Sequence, residues 1–114
     1  MPDEEKIELP ADKIAELAVS VWRIKRRAAK HRDTPEPVAI ACETAVDRLR
    51  DMGVMLHEHV GEPCDDAMRV RVVEDITAPG KHNPAPVATI VECLSPAVYY
   101  NNNLIRRAEV VVER

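Results

Sequence analysis

Phenylalanine is absent from this chain of 114 residues, and its only aromatics apart from histidine are one Trp and two Tyr. Any core must therefore be built from Val, Ile, Leu and Ala, which bury less area per residue than aromatic side chains do. A domain of this size with so little aromatic surface gains from burying more area against a second copy. Glycine is nearly as scarce, at three residues, which leaves too few for a phosphate-cradling loop once turns and helix ends have taken theirs. No apolar run approaches the roughly 20 residues that a membrane-spanning helix needs. The acidic start, Met1-Pro2-Asp3-Glu4-Glu5, lacks the apolar stretch of a secretory leader, so a cytoplasmic protein without membrane partners is expected. Three cysteines, Cys42, Cys64 and Cys93, form no C-x-x-C pair, and free reduced thiols are expected rather than a disulfide framework or a zinc cage. No nucleophile–base arrangement and no paired carboxylates stand out, so neither an enzyme nor a cofactor site is expected.

What is present is the composition of a folded chain, 46% hydrophobic and 32% charged. Its net charge of −4 hides a segregation. The first ten residues are acidic, whereas Arg23, Lys25, Arg26, Arg27, Lys30 and Arg32 crowd into residues 23–32 without an acid among them. Residues 11–32 read as a helix, because Ile14, Leu17, Val21, Ile24 and Ala28 recur at alternating spacings of three and four. Thr34-Pro35-Glu36-Pro37 breaks it and starts another, with Thr34 suited to the N-cap and Pro35 to the first helical position. The second helix carries Val38, Cys42, Ala45, Leu49 and Met52 on one stripe, and Gly53 fits the position just past its end. Two helices make a poor core alone, and a dimer forming a four-helix bundle resolves that. The expected dimer interface is Ile14, Leu17, Val21 and Ile24 on the first helix with Val38, Cys42, Ala45 and Leu49 on the second.

After Gly53 the period shortens. Strands are expected around Val54–Glu58, Met68–Glu74, Val87–Leu94, Val98–Tyr100 and Leu104–Glu113, with a turn-rich loop over residues 76–86. Asn101-Asn102-Asn103 reads as a hairpin turn, since Asn tolerates the positive φ that such turns require. The fold class is therefore α+β: an acidic tail over residues 1–10, a helix hairpin over 11–53 and a small β domain over 54–114.

Two separated blocks carry a resemblance. Leu49-Arg50-Asp51-Met52-Gly53-Val54, followed by Gly61-Glu62-Pro63-Cys64-Asp65, is similar to a helix-to-sheet junction of the form L-x-x-x-G-V…G-E-x-F-D-P. Ile90-Val91-Glu92-Cys93-Leu94, then Tyr99-Tyr100-Asn101-Asn102-Asn103-Leu104-Ile105-Arg106-Arg107-Ala108 and Val110-Val111-Val112, is similar to an ending of the form V-V-E-V-L-x-x-G-Y-x-L-N-G-R-x-L-R-P-A-x-V-x-V. Across residues 38–112 the chain resembles the GrpE family, the bacterial nucleotide exchange factors of the Hsp70 chaperone DnaK. The resemblance implies a homodimer with a central four-helix bundle and a β wing that enters an Hsp70 nucleotide-binding domain, so that ADP leaves. It implies a partner surface at Asn101, Arg106 and Val112; Tyr100, or else Tyr99, and Asn103 join it by position.

The chain also departs from the pattern. Asn103 stands where the family carries the turn Arg, Arg107 where it carries Pro, and Arg69-Val70 where it carries H-E. Nothing here matches the family's long N-terminal helix, so stalk-dependent functions are not expected. An alternative is an interaction module that keeps the fold without exchange activity and binds an acidic partner through the basic helix, with Trp22 as an apolar anchor. Nucleic acid bound through the same basic helix, residues 23–32, is a weaker alternative, because the chain is acidic and poor in stacking aromatics. His57-x-His59 with Cys64 offers metal donors at no standard spacing, and no metal is expected.

Overall fold

The computed structural model describes residues 7–80 and 86–114. Most of the acidic tail and the middle of the 76–86 loop thus lie outside the described residues. The architecture is α+β. Two helices, α1 (Ala11–Lys30) and α2 (Glu36–Asp51), precede seven strands: β1 (Val54–His57), β2 (Pro63–Cys64), β3 (Val70–Asp75), β4 (Ala88–Ser95), β5 (Ala97–Tyr100), β6 (Asn103–Arg106) and β7 (Ala108–Glu113).

The helix hairpin forms as its punctuation demands, with one exchange of roles. Pro35 caps α2 and Pro37 sits in its first turn, where a missing N–H costs nothing. The hydroxyl of Thr34 does not cap α2. It donates to the Ala28 carbonyl at 2.8 Å and satisfies the end of α1 instead. Gly53, at φ +90°, donates to Arg50 O at 2.9 Å and ends α2 as expected.

The strands fall into two sheets. One is β1-β5-β6, all antiparallel; the other is β2-β4-β7-β3, in which only the β3–β7 pair is parallel. The single long strand expected over 104–113 is in fact two. It breaks at Arg107, so that β6 completes the first sheet and β7 lies inside the second. Likewise β4 runs into β5 across the buried Pro96, which cannot donate to either ladder.

Each sheet has its own aliphatic core. In the first, Val54 and Val98 meet Ala15, Ala18 and Val19 of α1 and Leu49 of α2. In the second, Ile90, Val110 and Val112 pack with Ala88, Ala97 and Ala108, while Tyr99 and Leu104 close one side. The buried face of α1 is therefore Ala15, Ala18, Val19 and Trp22; of the Ile14–Leu17–Val21–Ile24 stripe, Ile14 and Val21 pack against the margin of that core while Leu17 and Ile24 stay open. The small Ala side chains let the sheet approach the helix closely, which the aliphatic period alone does not reveal.

Ser95 is the exception in these cores. It is 1% exposed, and its Oγ has no hydrogen-bond partner among the described residues. A desolvated, unpaired hydroxyl is destabilising, so Ser95→Ala is expected to leave stability unchanged or raise it by up to about 1 kcal/mol. Denaturant titration checks this; a loss of more than about 1 kcal/mol would mean the hydroxyl is bonded.

Candidate functional site

Beyond the shared first core, one aromatic and one cation join α1 to the β region. Trp22 donates from Nε1 to a Glu58 carboxylate oxygen at 2.6 Å, linking α1 to the residue after β1. The Arg26 guanidinium lies 5.0 Å above the Trp22 ring, donates to the Cys93 carbonyl at 2.5 Å and pairs with Glu92 at 3.4 Å. The Trp22 ring and the guanidinium thus form a joint between α1 and β4. Burial, with Glu58 nearby, pushes the Cys93 thiol up to about 11. This corrects two expectations. Trp22 is 6% exposed and not an anchor for a partner, and Arg26 belongs to the joint rather than to an open basic face. The remaining cations Arg23, Lys25, Arg27, Lys30 and Arg32 stay exposed. Lys25 and Lys30, with Arg50, line a cavity of about 480 Å³ beside Trp22.

The β5–β6 hairpin holds most of the expected partner residues. Asn101 and Asn102 take φ +47° and +70°, the two positive values that a tight two-residue turn needs. Tyr100 and Asn103 are cross-strand partners, so their side chains stand side by side, and both are exposed. Tyr99 turns inward onto the second core, which settles which tyrosine is available. The turn does not project freely. Asn101 donates its backbone N–H to Gly53 O at 2.9 Å, which ties the hairpin to the end of α2. A Cβ on Gly53 would meet the Asn101 side-chain oxygen at 2.3 Å and displace it, and the φ of +90° favours glycine there whatever the space.

Arg106 lies at the far end of β6, paired with Val98, and its guanidinium is 4.0 Å from Glu109. It is thus separated from the Tyr100–Asn103 end by the length of the strand. Val112 requires a correction. It is 3% exposed within the second core, because the burial pattern of β7 turns it inward, so its side chain offers no surface.

The helices present an open apolar face. Leu17 and Ile24 are 57% and 58% exposed, and Val38 is also open. Between them runs a groove of about 410 Å³ lined by Val21, Ile24, Pro37, Val38, Ala41, Cys42 and Ala45. Of the expected dimer residues, Leu49 is spent inside the chain's own first core and Cys42 is buried at the groove floor.

Two features escaped the sequence reading. Edge strand β3 and the residue after it leave Val72, Val73 and Ile76 largely exposed. The burial pattern of β3 has no alternation, so period-two reasoning assigns these residues to no face. The second is Glu62, whose carboxylate accepts from His59 and His57 and is held by them below the usual carboxylate range. Cys64 packs against the second core, and burial raises its thiol pKa.

No family model matches the chain, and no curated protein does.

Proposed function

We propose that this protein is a GrpE-like nucleotide exchange factor, acting as a dimer on an Hsp70-family ATPase. The observation that carries the reading is the order of parts: a helix hairpin with an open apolar face, then a β unit tied to its end by a tight Asn turn. That is the order and spacing the GrpE resemblance implies. Such a factor performs no covalent chemistry. It binds the open arrangement of the nucleotide-binding lobes more tightly than the closed one, and ADP release follows from the shift in population. Tyr100, Asn101 and Asn103 at the hairpin end and Arg106 at the far end of β6 are the contact residues of this reading. In the dimer, Leu17, Ile24 and Val38 of the two copies face one another.

Release of a fluorescent ADP analogue from the host's Hsp70 proteins tests it. Acceleration by the wild-type protein is expected, and Arg106→Glu should reduce it at least about tenfold, the scale of a lost charge-assisted contact. The double variant Arg23→Glu/Arg27→Glu should match wild type. Both changes are on exposed side chains. Arg26 is unsuitable as a control, because its reversal would break the joint to Cys93 and Glu92. No acceleration from any host Hsp70 would sink the reading.

One observation favours a second reading. The exposed cations of α1 and the neighbouring cavity of about 480 Å³ form a positive surface that an acidic protein segment would complement. On that reading the Arg23/Arg27 reversal abolishes partner binding and Arg106→Glu does not.

A further inference from the structure

The turn after β1 gathers three metal-type donors. His57 closes β1, His59 follows two residues on, and Glu62 immediately precedes β2. His57 Nε2 lies 2.7 Å from one Glu62 carboxylate oxygen, and His59 Nδ1 lies 3.1 Å from the other. The two imidazoles meet edge to face with centroids 4.1 Å apart. One donor atom from each of the three side chains lies within 4.8 Å of the other two.

The backbone builds this convergence. His59 has φ +64°, a left-handed conformation uncommon for a side-chain-bearing residue, and Gly61 follows at +89°. Together they fold the chain back, and Glu62 donates its N–H to His59 O at 3.0 Å. Gly61 donates to Ile90 O at 2.8 Å, and Ile90 returns a bond to Glu62 O at 2.9 Å. The backbone that carries the carboxylate is therefore pinned to β4. Neither the Trp22–Arg26 joint nor the expected partner surface uses these three side chains.

We propose that His57, His59 and Glu62 bind one divalent transition-metal ion, with Zn²⁺ the best match to the donors. Two imidazoles and one carboxylate are the ligand set of zinc sites that keep a position open, and imidazole disfavours Mg²⁺ and Ca²⁺. Donors at about 2.0–2.2 Å from a tetrahedral zinc lie about 3.3–3.6 Å apart, so rotation of the side chains brings these three onto one ion. His57 and Glu62 are half-exposed, which gives the ion an entry path and leaves the remaining position to water. In the sequence His57, His59 and Cys64 match no standard metal spacing; the fold brings Glu62 to the two histidines as the third donor. The ion would connect the end of β1 in the first sheet to the start of β2 in the second. This inference stands whatever the wing binds.

Titration of the full chain with Co²⁺, free of any histidine tag and treated with a chelator, tests the site. One Co²⁺ per chain should bind saturably, with visible d–d absorption and no thiolate charge-transfer band, and Zn²⁺ should displace it. His57→Ala and Glu62→Gln should each weaken binding at least about tenfold. Both positions are partly exposed, so the variants should keep the wild-type circular dichroism. Zn²⁺ should raise the melting temperature of the wild type and leave that of the two variants unchanged. The proposal falls if no saturable binding occurs at one equivalent, if the variants bind as tightly as wild type, or if a thiolate band identifies a cysteine ligand.

Discussion

Trp22→Ala is expected to lower unfolding stability by about 3–5 kcal/mol, a large share of the roughly 5–15 kcal/mol typical of a domain. Trp22 is the largest side chain that α1 buries against the sheets. Truncation removes the ring from under Arg26 and the Nε1 donor from Glu58, so the joint to β1 and β4 is lost together with the packing. Trp22→Phe separates these effects. It keeps a ring and deletes the donor to an exposed carboxylate, and should cost only about 1 kcal/mol. Trp22 is the only tryptophan, so denaturation must be followed by far-UV circular dichroism. A loss below about 1 kcal/mol for Trp22→Ala would mean that α1 does not hold the wing through this residue.

Leu17→Asp/Ile24→Asp is expected to turn a dimer into monomers. In a single chain both positions already face solvent, so the carboxylates cost the monomer little and the helical content should persist. In a dimer each would be buried unpaired, which costs several kcal/mol and raises the dissociation constant at least about a hundredfold. Sedimentation equilibrium should report the 12.8 kDa of one chain for the variant and twice that for wild type. A wild-type protein that stays monomeric at high concentration would remove the four-helix bundle from the proposal. It would then need another explanation for a groove with no charged or hydroxyl-bearing residue in its lining.

The elements were largely readable because each rests on a local device. Pro35 and Pro37 start α2, Gly53 ends it, and Asn101-Asn102 turns the hairpin, each by a backbone preference of its own residues. Less was visible where tertiary contacts decide. Of the aliphatic stripe of α1 only Leu17 and Ile24 are open, Ile14 and Val21 lie at the core margin, and a face of two alanines, Val19 and Trp22 packs inside, a choice made by the approach of Val54 and Val98. The break at Arg107 leaves no turn signature, since it is a change of sheet rather than of direction. Val112 belongs to the expected contact set only through the resemblance, and the pleat of β7 decides against it. Glu62 belongs to a Gly-Glu-Pro segment, but its meeting with both histidines depends on the left-handed turn at His59, which sequence spacing does not express.

The order of the second sheet, β2-β4-β7-β3, has a consequence for how the protein is made. β7 sits between β4 and β3 yet is translated after both. Until it leaves the ribosome, β3 has no strand to pair with and one side of β4 remains unpaired, although the helix hairpin can already close. The nascent wing therefore waits with its exposed valines and unsatisfied strand edges, the state in which a chain is most open to wrong pairing. Assembly of the second sheet is expected to be slower than closure of the helix hairpin, because its pairings join distant parts of the chain.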